Sequence, residues 1–170
     1  MVIHETPRLR LRELGTEDAA FVLELVNEPA WLRFIGDRNV HSLEDARGYI
    51  ERGPVASYAK NGFGLWAAEL RSDATLVGSC GLLRRESLPY PDLGFAFLAR
   101  HWGRGYAREA AAAVVELASE RYHLERLLAI TSPGNDASKR VLEAVGFYHE
   151  KSFRFIETGE QLEMYARELA

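Results

Sequence analysis

The sequence has a single cysteine, Cys80, among its 170 residues. One thiol excludes an intramolecular disulfide and any metal cluster held by several cysteines. Cys80 lies in a mostly apolar run over residues 76–83, so we interpret it as a small buried hydrophobe rather than a nucleophile. The five histidines are scattered without ligand spacing, so no metal site is expected. A reducing, cytoplasmic environment is the expected setting.

Excess positive charge and long apolar segments are missing as well. Asp and Glu (25) outnumber Lys and Arg (21), which gives a net charge of -4. Nucleic-acid-binding domains are usually basic over the binding face, so no nucleic-acid partner is expected. No apolar run approaches the roughly 18 residues of a membrane span, so no membrane partner is expected either. The length and the lack of internal repeats predict one domain over residues 1–170.

Hydrophobic periodicity alternates between strand and helix patterns along the chain. The predicted order is a strand at 8–12, two helices, three strands, a helix, a strand, a helix and two strands. Thr16 and Ser42 are the predicted N-caps of the first two helices, which Pro29 and Gly53-Pro54 are predicted to end. The remaining predicted bounds are strands 63–70, 75–83, 92–98, 126–131, 147–156 and 161–169, and helices 106–121 and 135–145.

Antiparallel hairpins dominate this order, with one strand–helix–strand crossover over residues 92–131. Such a crossover joins parallel neighbours and is right-handed. We therefore expect an α+β fold with a single, mostly antiparallel sheet of about seven strands. Strands 92–98 and 126–131 should form a central parallel pair, with helices on both faces of the sheet.

The turn before the helix at 106–121 is the most informative segment of the chain. Helices usually carry acidic residues in the first turn, where free N–H groups and the macrodipole are positive. This helix is opened instead by Arg104 and Arg108, and its first acid is Glu109. Gly103 and Gly105 allow bare backbone to approach whatever lies above the turn. The pattern therefore predicts a bound anion.

Known nucleotide-binding motifs do not fit this turn. A dinucleotide-binding turn requires a third glycine where the sequence has Arg108, and a P-loop requires Gly-Lys-Ser/Thr, which is missing. A glycine turn that only connects a strand to a helix remains the simplest alternative. A nucleotide-binding regulatory domain built on the same turn is a further one.

The segment Arg100-x-x-Gly103-x-Gly105 resembles the Gln/Arg-x-x-Gly-x-Gly/Ala signature of the GNAT superfamily of N-acetyltransferases. The longer run over residues 92–107 is similar to the branch of ribosomal-protein N-terminal (RimJ/RimL-type) acetyltransferases. Further similarities follow in order along the chain, at residues 6–12, 78–81 and 135–147.

This resemblance implies the acyl-CoA N-acyltransferase fold, in which the central parallel pair of strands splays apart. It also implies transfer of an acetyl group from acetyl-coenzyme A (acetyl-CoA) to a primary amine, by direct attack in a ternary complex. The amine would belong to a protein N-terminus or to a small molecule, and the enzyme would be a monomer or a homodimer. A non-catalytic acyl-CoA-binding module is the alternative function.

By resemblance, the turn wraps the pyrophosphate of acetyl-CoA, and the preceding strand offers backbone groups to the pantetheine arm and the thioester carbonyl. Asn135 would reach the pantetheine from the other side, and a plain helix N-cap is its alternative role. The residues predicted to bind acetyl-CoA are Phe97, Leu98, Ala99, Arg100, Gly103, Arg104, Gly105, Tyr106, Ala107, Arg108, Asn135 and Ser138.

Two residues are predicted to be catalytic. Many members of the superfamily carry a thiolate-protonating tyrosine where this chain has Leu142, whereas the similar branch carries a serine one turn earlier, here Ser138. Its alternative role is a small residue that lets acetyl-CoA approach. Asp92 stands where relatives often have a glutamate, so it is the predicted base acting through water. A simple turn residue after Pro91 is the alternative, and Glu86 and Tyr90 are rival bases.

The acceptor pocket is expected between the first two helices and the loop at 84–91. Its candidate walls are Trp31, Phe34, Tyr58 and Trp66. Arg84, Arg85 and Glu86 could meet a peptide terminus, an amino acid or an aminoglycoside-like amine equally well, so the sequence does not identify the acceptor.

Overall fold

The computed structural model describes residues 1–169 and shows one eight-stranded sheet. The order of the strands across the sheet is β1-β2-β3-β4-β5-β6-β8-β7. The strands are β1 (Val2–Glu5), β2 (Leu9–Arg12), β3 (Leu65–Leu70), β4 (Leu76–Leu83), β5 (Asp92–Phe97), β6 (Arg126–Thr131), β7 (Tyr148–Arg154) and β8 (Gln161–Glu168).

Four of the six helices lie between β2 and β3. They are α1 (Ala19–Val26), α2 (Pro29–Phe34), α3 (Leu43–Ile50), α4 (Ala56–Asn61), α5 (Tyr106–Glu120) and α6 (Asp136–Ala144). Short 3-10 turns at Thr16–Asp18 and Ala99–His101 precede α1 and α5, and a π-helical turn at Glu51–Val55 joins α3 to α4.

The predicted mixed sheet is confirmed. Every neighbouring pair of strands is antiparallel except β5 and β6, which are parallel. The sheet has eight strands rather than about seven because residues 2–5, which have no clear alternating pattern, pair with β2 as an edge strand. β5 and β6 share one registered pair, Asp92 with Leu128, and then diverge. The expected splay of the central pair is therefore present.

Two predicted helix ends are wrong. Pro29 begins α2 instead of ending α1, because proline lacks only an N–H group that is unpaired in a first turn. Gly53-Pro54 does not end α3 either. Pro54 cannot donate the usual i to i−4 bond, and the chain continues through the wider π turn into α4, which ends at Gly62 with a φ of +78°.

The caps of the early helices follow the sequence pattern in part. Ser42 is the N-cap of α3, and its hydroxyl accepts a hydrogen bond of 3.0 Å from the Asp45 N–H. Thr16 is not a cap. It is the first residue of the 3-10 turn that leads into α1, and Gly15 precedes it as the cap.

Apolar side chains fill both faces of the sheet, and helices cover both of them. α5 packs its alanines against one face, where Trp66 and Cys80 are fully buried. α1, α2 and α3 pack against the other face, around Ile50 and Leu98. Burial raises the pKa of the Cys80 thiol, so the prediction of an inert buried hydrophobe is confirmed.

The close approach of β3 and β4 generates a prediction about stability. A Cβ atom at Gly81 would meet the Gly64 carbonyl oxygen and lie 2.8 Å from Leu65 Cα, so backbone must move to accept it. We expect Gly81→Ala to lower the free energy of unfolding by about 1–3 kcal/mol in urea denaturation. Gly53→Ala is the control, because its Cβ would meet nothing within 4 Å. Equal stability of the two variants would contradict the tight packing at Gly81.

Candidate functional site

The turn between β5 and α5 presents free backbone N–H groups. Gly103 and Gly105 have φ values of +78° and +83°, a left-handed conformation that glycine adopts without strain. A Cβ atom at Gly103 would meet nothing within 4 Å, so the backbone there is open. The Glu109 N–H donates to the Gly105 carbonyl at 3.0 Å and begins the helical bonding, which leaves the N–H groups of residues 106–108 pointing out of the helix end.

The arginines of the turn fall into two groups. Arg104 and Arg108 are exposed, and neither forms an ion pair within residues 1–169. Arg100 instead pairs with Glu24 at 2.8 Å. The N–H groups of His101 and Trp102 donate to carbonyls within the 3-10 turn. The groups available to an anion are therefore concentrated at residues 103–108 rather than spread from residue 100.

Arg8 holds this turn from the other end of the chain. Its guanidinium donates to the Arg104 carbonyl at 2.7 Å and to the Glu109 carboxylate at 2.7 Å. The Thr6 hydroxyl also donates to Glu109, at 2.5 Å. Burial alone would raise the pKa of Glu109, but the hydrogen bonds from Thr6 and Arg8 outweigh it and hold that pKa below its usual value. Arg8 thus compensates the only acid of the first helical turn.

Sequence reasoning missed this role of Arg8. The residue was interpreted only as part of an alternating strand, although it stands within the 6–12 segment that carried the resemblance. The contact joins residues separated by about a hundred positions, so no local periodicity could identify it.

The gap between β5 and β6 exposes backbone groups from both strands. The Leu128 N–H donates to the Pro91 carbonyl at 3.0 Å, so odd-numbered residues of β5 face β6. By the alternation of a strand, Phe95 and Phe97 therefore turn their N–H groups into the gap, and Ile130 does so from β6. Sequence reasoning named Phe97 but missed Phe95 and Ile130.

The next two predicted contact residues have partners inside the protein. The Leu98 N–H donates to the Val77 carbonyl at 2.9 Å, and the Ala99 N–H donates to the Glu28 carboxylate at 3.2 Å. The Phe97 carbonyl accepts a bond of 2.7 Å from the Trp102 indole. Of the backbone groups predicted to face a ligand, the Phe97 N–H is the one directed into the gap.

Two cavities meet at this gap. One of about 530 Å³ lies along the turn and α6, and one of about 320 Å³ lies on the side of the 84–91 loop. Both are lined by Trp31, Phe34, Ile35, Phe95, Ala96, Asn135 and Ser138. These shared walls make the cavities two halves of one passage, which leads from the glycine turn across the sheet.

Asn135 and Ser138 come together at the start of α6. The Asn135 side-chain oxygen accepts the Ser138 N–H at 3.2 Å, so Asn135 is the N-cap of this helix. Its amide nitrogen still has two N–H groups to donate into the passage. Gly146, with a φ of +93°, follows the other end of α6, where glycine adopts the left-handed conformation without strain.

Asp92 lies at the far end of the passage. It is only 1% exposed, and its carboxylate accepts a hydrogen bond from Arg85 Nε at 3.1 Å. Burial raises the pKa of Asp92 to about 6, and the attraction of Arg85 only partly opposes this. Asp92 is thus a buried cavity residue rather than a solvent-exposed turn residue. The rival bases Glu86 and Tyr90 line neither cavity.

Only half of the predicted aromatic walls face the passage. Trp31 and Phe34 line both cavities, and the buried indole N–H of Trp31 has no hydrogen-bond partner within residues 1–169. Trp66 is fully buried in the core, and the Tyr58 hydroxyl accepts the Leu14 N–H at 3.0 Å, so their prediction as pocket walls is wrong. The spacing of aromatic residues in the sequence does not distinguish a side chain that lies in the core from one that lines a pocket.

No group of three or more His, Cys, Asp and Glu side chains in residues 1–169 is placed to hold a metal ion. Within the same residues, no helix combines the length and apolar character needed to cross a membrane.

Comparison with known proteins points to one family. A model of the acetyltransferase (GNAT) domain matches residues 8–148. The chain is 32% identical to the uncharacterized protein YkkB of Bacillus subtilis, over 88% of this chain and 87% of YkkB. It is 29% identical to the uncharacterized N-acetyltransferase YoaA of the same organism, over 89% and 86% of the two chains.

A solved structure of similar fold is RimL, a ribosomal L7/L12 alpha-N-protein acetyltransferase in complex with coenzyme A. The two structures superpose with a TM-score of 0.85 at 19% identity, over 99% of this chain and 98% of RimL. At this identity the likeness concerns the fold.

Proposed function

Because the chain belongs to the GNAT acetyltransferase family, we propose that it moves the acetyl group of acetyl-CoA to a primary amine by direct attack in a ternary complex. The enzyme is an N-acetyltransferase by family. The observation that carries the finer proposal is the passage itself, which runs from an anion-binding turn through the splayed strands to a buried carboxylate. The end at the turn suits acetyl-CoA, and the end at the carboxylate suits the amine that accepts the acetyl group.

The donor end fits a pyrophosphate. Free N–H groups at residues 103–108 and the two unpaired guanidiniums of Arg104 and Arg108 supply directed donors and positive charge. Arg8 offsets the charge of Glu109, so the one acid of the first helical turn does not oppose an anion there. We assign these residues to the pyrophosphate of acetyl-CoA, with Tyr106 and Ala107 contributing backbone.

The gap between β5 and β6 fits the pantetheine arm. The N–H groups of Phe95 and Phe97 and the backbone of Ile130 lack a neighbouring strand there, so an extended amide chain can pair with them. We assign the Phe97 N–H to the thioester carbonyl. Such a preorganised donor stabilises the oxyanion that develops during acyl transfer, typically by about 3 kcal/mol. The Asn135 amide would contact the arm from the α6 side.

Asp92 is the proposed base. The attacking amine must be neutral, and its proton can pass through water to the Asp92 carboxylate, which is mostly ionised at neutral pH. A new nitrogen–carbon bond then forms as the carbon–sulfur bond breaks. Ser138, which lines both halves of the passage, is the proposed donor of a proton to the departing thiolate.

The proposal extends to the acceptor, the assembly and the location of the enzyme. The acceptor is the amine of a protein N-terminus or of a small molecule, and the acetyltransferase unit is a single domain over residues 1–170, acting as a monomer or homodimer. A cytoplasmic location rests on the free, buried thiol of Cys80. The chemistry requires no metal, and neither nucleic acid nor membrane is a proposed partner.

Acetyl-CoA binding and turnover test the function. Calorimetric titration with acetyl-CoA should show saturable binding at one site. Release of free thiol should then be followed with a panel of small amines and of peptides that begin with Ala, Ser or Met. Binding without thiol release for every acceptor would favour the non-catalytic module, and no binding would refute both assignments.

Gly105→Asp should abolish acetyl-CoA binding in that titration, because it introduces a negative charge among the donors of the turn. Its Cβ would lie 3.2 Å from the end of the flexible Arg8 side chain, and the φ of +83° adds backbone strain, so a control with the same strain is needed. Gly62→Asp is the matched control, since it adds the same charge at a similar φ of +78°, away from the passage. Unchanged affinity of Gly105→Asp would refute the placement of the pyrophosphate.

Asp92→Asn should change the dependence of kcat/KM on pH. Only the neutral form of the acceptor amine reacts, so for an amine with a pKa near 8 kcat/KM falls about tenfold for each pH unit below that value. Protonation of Asp92 adds a second such loss below pH 6, because the base is then neutralised. In a plot of log kcat/KM against pH, the slope of the native enzyme should therefore steepen from one to two below pH 6, whereas the slope of the variant should stay at one. At pH 7 the kcat/KM of the variant should be lower by about a hundredfold. A second break retained in Asp92→Asn would exclude this carboxylate as the base.

Ser138→Ala should lower kcat modestly, up to about tenfold, with little effect on acetyl-CoA affinity. The effect is small because a thiolate with a pKa near roughly 8 to 9 leaves with little assistance. Ser138→Thr retains a hydroxyl and should recover part of the rate. Full turnover of the alanine variant in steady-state assays would remove Ser138 from the mechanism.

A further inference from the structure

A third cavity adjoins the acceptor half of the passage. Its volume is about 480 Å³, and it shares Tyr49, Leu65, Leu83 and Arg84 with the cavity that contains Asp92. Arg52 and Lys60 line the third cavity alone. A molecule whose amine lies near Asp92 can therefore extend past Tyr49 into this space.

The lining of the third cavity carries positive charge and no carboxylate. Its charged residues are Arg52, Lys60 and Arg84. None of the three forms an ion pair within residues 1–169. We therefore define these three residues and the space between them as the basic cavity.

The basic cavity contrasts with its surroundings. The protein as a whole has a net charge of -4. The adjoining cavity has a lining of mixed charge, in which Arg85 is paired with Asp92, and Arg38 and Glu160 are also present. Unpaired cations in an otherwise acidic protein raise the local concentration of anions in a cleft. The positive field is therefore directed at the outer part of the acceptor site.

Hydrogen bonds hold one of these cations in place, and a second lies against its own helix. Arg84 Nη1 donates to the carbonyls of Arg85 and Leu88 at 2.9 and 2.8 Å, which positions the guanidinium without neutralising it. Arg52 lies in the π turn, and its guanidinium folds back over Gly48, where a Cβ atom would come within 2.7 Å of Nη1. π turns are rare and are frequent at functional sites.

We propose that the basic cavity is the outer part of the acceptor site and that the preferred acceptor carries an anionic group, a carboxylate or a phosphate, at a distance from its amine. This inference rests on the proposed acetyl transfer, because that reaction locates the amine near Asp92. Arg52, Lys60 and Arg84 would then determine specificity without taking part in the chemistry.

Three peptides with amidated carboxyl ends test the proposal: Ser-Ala-Glu-Glu, Ser-Ala-phosphoserine-Ala and the neutral Ser-Ala-Gln-Gln. Calorimetry with the coenzyme A-saturated protein measures their dissociation constants at low and high salt. We expect at least one anionic peptide to bind about tenfold more tightly than the neutral one at low salt. The difference should shrink at high salt because exposed charges are screened. The tighter of the two anionic peptides identifies the anionic group.

Variants separate the cavity from general charge effects. The triple variant Arg52→Gln, Lys60→Gln, Arg84→Gln should lose the preference, whereas coenzyme A affinity should stay the same. The double variant Arg52→Gln, Lys60→Gln leaves the Arg84 contacts intact and should lose part of it. The control variant Arg47→Gln, Arg140→Gln, Lys151→Gln removes the same charge from residues outside the three cavities and should keep it.

The outcomes distinguish this inference from the proposed function. Equal affinity for all three peptides, no binding of any of them, or a preference that survives in the triple variant would overturn the inference. Thiol release from acetyl-CoA with the neutral peptide would still support acetyl transfer in those cases. Tight, cavity-dependent binding of an anionic peptide without thiol release from any acceptor would instead support the basic cavity and refute the transfer reaction.

Discussion

The divergence of β5 from β6 is the constraint on which the rest of the site depends. After the single pair of Asp92 and Leu128, the two strands no longer satisfy each other's backbone groups. Inward-facing N–H and C=O groups without partners are costly, so this gap is stable only where water or a polar chain can occupy it. The passage follows from this gap, since both of its halves are lined by residues of β5 and α6, and the half nearer Asp92 also by residues of β6.

The two ends of the passage carry charges of opposite sign. The turn at α5 collects backbone donors and free arginines, whereas Glu109 is neutralised by Arg8 and accepts a hydrogen bond from Thr6. The opposite end contains a carboxylate whose burial favours the protonated form and whose arginine partner favours the ionised one. These opposing effects leave Asp92 with an intermediate proton affinity, which suits proton exchange near neutral pH.

Local sequence rules predicted the parts of the fold that depend on local physics. The cap at Ser42, the N-cap at Asn135 and the glycine-rich turn follow from side-chain chemistry and φ preferences within a few residues. The errors arose where context decides. Pro29 can end one helix or begin the next, and Trp66 has the same spacing whether it faces a core or a pocket. At Pro54 a helix-breaking pair of residues is accommodated in a π turn that joins α3 to α4.

The contact of Arg8 with Arg104 and Glu109 also has a consequence for folding. These hydrogen bonds join residues 96 and 101 positions apart. Contacts of high sequence separation form late, because the intervening chain must be ordered first. The turn before α5 therefore cannot reach its final form from its glycines and its helix alone, because Arg8 must first be brought against it. Its geometry is a late product of folding, completed by a residue near the start of the chain.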